Sequence, residues 1–377
     1  MQQPNNRKNA SSARLREATR SDIDQLVKLE ESAPGNKQLS KRRMKYWVDT
    51  CHRIFLIAER RDEIQGYILI LLHKGTRLAR LHSLAISSKH QKQGIAKQLL
   101  VEAEKKAAAH NRFFMRVEVA RNNSAAISLY EKLGYKIFEL REHHYQNHQD
   151  AVRMQKRIRN IAEPSLHRTI PWYQQSTDFT CGPAALMMAM AGLDNTVIMN
   201  QTSELAIWRE ATTIFMTSGH GGCHPIGLAL AAHHRGFAAN VYLNTQEPLF
   251  INGVRTPAKK EVIRNVDKQF RATAQQQGLA IYHQEITQDH IAQWIESGHS
   301  IIILISTYRM DGRKAPHWVT ISGIDDNCLY VHDPDPETGK QDAFDCQYVP
   351  IAREDFALMS GFGAEKLRTC VVISNPR

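Results

Sequence analysis

Two phrases between Leu81 and Tyr135, LHSLAISSKHQKQGIAKQLL and VEVARNNSAAISLYEKLGY, constrain the fold most, because each reads as a strand feeding a helix through a short polar turn. In the first, Leu84, Ala85 and Ile86 close a strand and Gln91 to Ala96 form a tight turn around Gly94. Lys97 to His110 then read as a helix, with apolar Ile95, Leu99, Leu100 and Ala103. A helix N-terminus offers unpaired N–H groups and partial positive charge, which together hold phosphate, and a glycine lets the ligand approach the backbone closely. Lys92 and Lys97 add charge beside it. Taken alone, such a turn is also an ordinary helix start. In the second phrase the strand runs from Phe114 to Val119, Asn123 or Asn122 caps a helix from Ser124 to Leu133, and Gly134 ends that helix before Tyr135.

With both phrases in hand, the stretch from about Leu15 to Ile158 resembles a GNAT-family acyltransferase, most closely the ribosomal-protein-alanine N-acetyltransferase type. QKQGIA matches the acetyl-CoA turn of that family, and its second motif matches Glu118, Val119, Asn123, Ala126, Ile127, Leu129, Tyr130 and Leu133 to Tyr135. The resemblance implies direct acetyl transfer to an amine, with acetyl-CoA as co-substrate and no covalent enzyme intermediate. It implies that the turn Gln91, Lys92, Gln93, Gly94, Ile95, Ala96 and Lys97 binds the cofactor, the amides from Gln93 onward holding its pyrophosphate. The edge of Leu84, Ala85 and Ile86 would pair with the pantetheine arm, and Asn123 and Tyr130 would lie against the cofactor. Glu118 would be the base that deprotonates the incoming ammonium and Tyr130 the acid that protonates the departing thiolate, with Tyr145 in the substrate pocket. On residues alone, the simpler reading is Glu118 as an exposed strand carboxylate and Tyr130 as a core aromatic at helical spacing from Ile127. The chain departs from the family pattern at Ala120. Relatives carry an arginine there, whereas here Arg121 is displaced by one position, which in a strand moves the charge to the other face.

Residues 1–160 hold 32 Lys and Arg against 16 Asp and Glu, and the remainder 17 against 22, so the positive excess belongs to the first half. It would steer an anionic coenzyme or an acidic or ribosomal partner, or simply be a solvated basic face. KRRMK, Lys41 to Lys45, is the densest basic run, but it reads as part of a helix, and no nucleic-acid binding is inferred from it. No run reaches membrane-spanning length, and residues 1–13 read as a loose polar tail without a signal peptide, so the expectation is a cytoplasmic protein that does not engage a membrane. The six cysteines lack paired spacing, which suits reduced thiols.

At 377 residues the chain is long enough for two cores. The predicted boundary is a linker at 161–168 around Pro164, between a domain at 14–160 and one at 169–377. The second opens with IPWYQQSTDFTCGPAALMMAMAGL, in which Pro183 to Ala191 make an apolar helix with Cys181 at its start and Gly192 at its end. The helix dipole stabilises a thiolate there, which suits a nucleophile. Much later, APHWVTISGIDDNCLYVHDPDP reads as strands His317 to Ile324 and Cys328 to His332 joined by a turn, a hairpin that brings His317 close to Asp333. This half resembles the C39-like cysteine peptidases, papain-like in overall logic. The resemblance implies Cys181 as nucleophile, His317 as base, Asp333 as orienter and Gln175 as the oxyanion-hole glutamine. The transporter-linked members of that family remove leader peptides, but the chain has no transporter spans, so that substrate class is not carried over.

Cys and His are zinc ligands, and His220, Cys223, His224, His233 and His234 cluster in GHGGCHPIGLALAAHHRG. Their spacing matches no common zinc template, so this stretch is read as a loop plus a helix, Pro225 to His234, with no metal. The expected fold is therefore α/β in two domains: an N-terminal GNAT fold with a mixed central sheet flanked by helices, and a C-terminal α+β papain-like, C39-like domain. The expected function is a bifunctional enzyme that acetylates an amine of a protein or peptide, ribosomal or ribosomally made, and hydrolyses a peptide-like substrate. The alternative is an acetyltransferase whose second domain binds peptides without cutting them.

Overall fold

The computed structural model describes residues 13–32, 39–141, 150–159, 166–212, 222–251, 256–312, 315–336 and 343–376. Tyr145, His220 and most of the expected tail lie outside the described residues. The chain packs as two units, Met1–Ile161 and Ala162–Arg377.

The first unit runs β1 (Arg14–Glu17), α1 (Ile23–Ser32), α2 (Lys41–Asp49), β2 (Arg53–Arg60), β3 (Glu63–Leu72), β4 (Leu78–Ile86), α3 (Ile95–Ala109), β5 (Phe114–Ala120), α4 (Ser124–Lys132), β6 (Lys136–Arg141) and β7 (Ala151–Arg157). Its strands form one sheet in the order β1-β2-β3-β4-β5-β7-β6. Strand side chains alternate faces, and the apolar residues of β2 and β3 fill both. Ile54, Leu56, Ile68 and Ile70 join the core under α3 and α4, while Phe55, Ile57, Tyr67 and Leu69 join the core under α1 and α2. The sheet is antiparallel except between β4 and β5, which pair in parallel over Leu78–Arg80 and Phe114–Arg116 and then separate. Beyond Arg80, among the described residues, β4 is paired on its β3 side alone, with a bulge opposite Leu69 and Ile70.

The second unit runs β8 (Leu166–His167), α5 (Cys181–Ala191), α6 (Gln201–Ala211), α7 (Pro225–His233), β9 (Phe237–Leu243), α8 (Pro257–Gln276), β10 (Ile281–His283), α9 (Gln288–Glu296), β11 (Ser300–Ser306), α10 (Tyr308–Asp311), β12 (Pro316–Ile324), β13 (Cys328–His332), β14 (Val349–Ala352), α11 (Arg353–Met359) and β15 (Thr369–Pro376). The sheet order is β10-β9-β15-β11-β12-β13-β14, with β8 paired to β12. The pairing of β8 corrects the expected linker: residues 166–167 are already sheet, held against Gly323 and Ile324. On β11, Ile302 and Leu304 face the core of α5, α6 and α7, and Ile301, Ile303 and Ile305 face the core of α9 and α11. α5 and α7 are buried over nearly their whole length, which is why neither sequence shows a polar stripe. No helix among the described residues is long and apolar enough to cross a membrane.

Candidate active sites

In the first unit the gap between β4 and β5 and the start of α3 define a site. Gly94 sits at the N-cap of α3 with φ +82°, and no side chain caps the helix. The first intrahelical bond runs from the Gln98 amide to the Gly94 carbonyl, so the amides of Ile95, Ala96 and Lys97 have no helical acceptor. The helix begins at Ile95, two residues before its expected start, because the left-handed Gly94 turns the chain straight into it. Lys92 is also left-handed, φ +60°, a conformation that costs a non-glycine residue about 1 kcal/mol. The turn Gln91–Gly94 ahead of these amides is exposed, and an uncapped helix start of this kind is one to which an anion can bind. Leu84, Ala85 and Ile86 pair with Ile68, Tyr67 and Gly66 of β3, leaving their β5-facing edge open.

Asn123 is the N-cap of α4, its side-chain oxygen accepting from the Ala126 amide at 3.1 Å. That settles the capping residue, and it commits one end of the carboxamide to the helix. Tyr130 is buried, with its ring 5.6 Å from that of Tyr135. It shares a core with Val117 and Val119, so Glu118 projects from the opposite face of β5. There Glu118 is not the exposed carboxylate that composition allowed. Its Oε2 accepts from Nε of Arg153, directly across on β7, at 2.9 Å, and Arg153 also donates to Glu139 at 2.7 Å. The Arg153 side chain is 1 % exposed and that of Glu118 8 %. Removing one partner of such a buried pair typically costs about 3–5 kcal/mol. Nothing local in the sequence marks Arg153, whose contact with Glu118 spans 35 residues. β5 ends at Ala120, so Arg121 lies in the turn, where strand alternation no longer sets its direction. It binds Asp150 through both its amide and its guanidinium.

In the second unit Cys181 is the first residue of α5 and partly exposed, while the nine residues after it are buried. The helix is pinned to β12 by Thr320 Oγ1, which donates to the Ala185 carbonyl at 2.8 Å. Close approach requires Gly182: a Cβ there would come within 3.0 Å of Cys223 Cβ and 3.2 Å of Trp318 Cδ1. β12 and β13 form the expected hairpin, its turn closed by Asp325 Oδ1 accepting the Asn327 and Cys328 amides at 2.8 and 2.7 Å. Register places His317 of β12 beside Asp333, just past β13, and His317 Nε2 meets Asp333 Oδ1 at 2.7 Å. The other oxygen-side contacts of Asp333 fix it in place, with Oδ1 accepting the Asp335 amide and the main-chain carbonyl accepting from Trp172 Nε1. Burial is the largest influence on His317 and would lower its pKa. The Asp333 charge and hydrogen bond, reinforced by a hydrogen bond with Cys181, outweigh burial and hold the imidazole well above its ordinary value. With Nε2 engaged by Asp333, Nδ1 is left for the thiol.

Gln175 is 8 % exposed, its amide donates to the Pro334 carbonyl at 3.0 Å, and its side-chain Oε1 has no hydrogen-bond partner among the described residues. His317 and Asp333 are therefore in direct contact, and the Gln175 backbone is tied to Pro334, next to Asp333. The histidine-rich stretch does not form a metal site among the described residues. His224 is buried against Asp267 at 3.0 Å, and His234 bonds Glu210 and Gln277 on the surface.

Comparison with known proteins gives both halves a family. Residues 21–135 match the Acetyltransferase (GNAT) family, and residues 170–374 match the Peptidase_C39 like family. An N-alpha-acetyltransferase of Sulfurisphaera tokodaii is 31% identical over 159 residues, 37% of this chain and 90% of that protein. One from Sulfolobus acidocaldarius is 28% identical over 37% of this chain and 89% of its own length. Among solved structures, the ribosomal-protein-S18-alanine N-acetyltransferase of Escherichia coli matches 40% of this chain and 96% of its own at 20% identity, with a TM-score of 0.37. Since the second match covers more than half of the 377 residues, the protein belongs to the Peptidase_C39 like family, and it carries ahead of that domain a GNAT acetyltransferase domain whose co-substrate is acetyl-CoA.

Proposed function

We propose that the chain is a bifunctional enzyme: its first unit transfers acetyl from acetyl-CoA to an amine of a protein or peptide, and its second hydrolyses a peptide-like substrate through Cys181. In the first unit, the amides at the start of α3 would take the pyrophosphate, and the open edge of Leu84 to Ile86 the pantetheine arm. The amine would attack the thioester carbonyl in the gap beyond Arg80 and Arg116, giving its proton to Glu118 while Tyr130 protonates the departing sulfur. The relatives named as N-alpha-acetyltransferases support a protein N-terminus as acceptor.

In the second unit, Cys181 would attack the scissile carbonyl, His317 would carry the thiol proton to the leaving amine, and Asp333 would hold the ring. Gln175 and the Cys181 amide would receive the developing oxyanion. The observation that carries this half is the buried 2.7 Å bond between His317 Nε2 and Asp333 Oδ1, in a domain where Cys181 opens a helix.

Both halves are tested on one purified protein. Acetyl-CoA at about a hundredfold over its Kd adds about 2.7 kcal/mol to the first unit's stability, read as a rise in its melting temperature. At about pH 6 to 7 iodoacetamide labels Cys181 ahead of exposed Cys51, while Cys223 and Cys370, whose thiols burial pushes up, stay unlabelled. No thermal shift contradicts the first half, and equal labelling of Cys181 and Cys51 contradicts the second.

A further inference from the structure

Resting on the hydrolase reading, we propose that Glu204 is a positioning residue, which holds Gln175 where its carboxamide and the Cys181 amide together receive an oxyanion. Glu204 lies in the first turn of α6 and is fully buried. Its two carboxyl oxygens grip the chain on either side of Gln175. Oε2 accepts from the Tyr173 hydroxyl at 2.9 Å, and Oε1 accepts from the Ser176 amide at 2.8 Å. A core position ordinarily holds an apolar side chain, and a buried carboxyl is tolerated where it satisfies donors that nothing else reaches. Here those donors belong to the segment that carries Gln175.

The rest of that segment is tied to Asp333 and Pro334 by the Trp172 indole and the Gln175 amide. The glutamine backbone is thus held from two sides while its side chain stays uncommitted at Oε1. One turn along α6, on the same face, the Trp208 ring sits 5.0 Å from that of Phe179, two residues before Cys181. One face of α6 therefore supports both parts of the oxyanion site: Glu204 the Gln175 side, Trp208 the Cys181 side.

The test compares two reactions of Cys181 in the full-length protein. With iodoacetamide the sulfur displaces iodide from a saturated carbon, and no oxyanion forms. With p-nitrophenyl acetate the sulfur adds to the carbonyl carbon, the C=O pair moves onto oxygen, and collapse expels p-nitrophenolate and leaves an acetyl thioester. Losing one oxyanion donor costs about 10²–10³-fold in rate, so a displaced one should cost about tenfold or more. The expected result for Glu204→Gln is that loss in acylation, with alkylation within about twofold of wild type. Tyr173→Phe, which removes one of the two bonds and leaves the carboxyl in place, shows a smaller loss in the same direction. Adding Glu204→Gln to Gln175→Ala costs little more than Gln175→Ala alone, since both act through one donor. Unchanged acylation in Glu204→Gln, a parallel fall of alkylation in both variants, or full additivity with Gln175→Ala overturns the role. A wild-type Cys181 that neither acylates nor alkylates ahead of Cys51 instead removes the hydrolase reading itself, and Glu204 with it.

Discussion

His224 caps α7 with its own ring: Nδ1 accepts from the Ile226 amide at 3.2 Å, so the proton sits on Nε2 and is donated to Asp267 at 3.0 Å. The bond from Ile226 requires the neutral imidazole, because a protonated Nδ1 has no lone pair with which to accept. Burial, the largest influence, pulls its pKa below the ordinary value, against the opposing pull of Asp267 and with a small push from Arg271. In the unfolded chain the same ring titrates near about 6.5, so below that pH the unfolded state binds the extra proton and stability is lost. His317 has the opposite sign. Held above its ordinary value, it contributes stability that is complete below about pH 6.5 and is lost as pH rises through its folded pKa. Chemical denaturation of the second unit should therefore show a midpoint that falls between about pH 7 and 5 in wild type, with a smaller fall in His224→Asn, whose amide can serve as an N-cap. An identical fall in both proteins contradicts this assignment.

At the scale of elements, the sites rest on close approaches between helices. Where α6 crosses α7, a Cβ on Gly227 would lie 2.7 Å from Ala211 Cα and 2.9 Å from Phe270 Cζ. Backbone cannot yield as a side chain tip can, so Gly227→Ala must push α6 away. We expect a loss of about 1–3 kcal/mol in the second unit, measured by urea denaturation with the first unit's transition unchanged. An unchanged midpoint would mean that α6 is not seated as described. The same contrast explains what the sequence could reveal. Gly94, Asn123, Gly134 and Cys181 were legible because each is a signal written in the local backbone: a left-handed turn, a cap, a helix end, a helix start. The hairpin that joins His317 to Asp333 was legible because its turn lies between two short strands, 16 residues apart end to end. Arg153 with Glu118, Glu204 with Tyr173, and His224 with Asp267 span 35, 31 and 43 residues, and no local pattern announces a contact between elements that only the fold brings together. For that reason composition alone permits an exposed Glu118, and strand alternation assigns Arg121 a direction that the end of β5 at Ala120 removes.

For the whole molecule, charge and family divide along the same boundary. The basic first unit carries the GNAT match and the near-neutral, slightly acidic second unit the C39-like one. Because Glu118 is half of a buried ion pair, its replacement would destabilise the first unit as well as remove the proposed base, whereas Tyr130→Phe removes one hydroxyl and keeps the buried ring. Cys181→Ala is likewise a small change at a partly exposed helix start. The most direct measurement is mass spectrometry of a peptide panel incubated with acetyl-CoA and either the full-length protein, Tyr130→Phe or Cys181→Ala. The account predicts acetylated and cleaved peptides with wild type, with about a hundredfold or greater loss of acetylation alone in Tyr130→Phe and complete loss of cleavage alone in Cys181→Ala. Acetylation that survives Tyr130→Phe unchanged, or a panel that wild type leaves uncut, would contradict it.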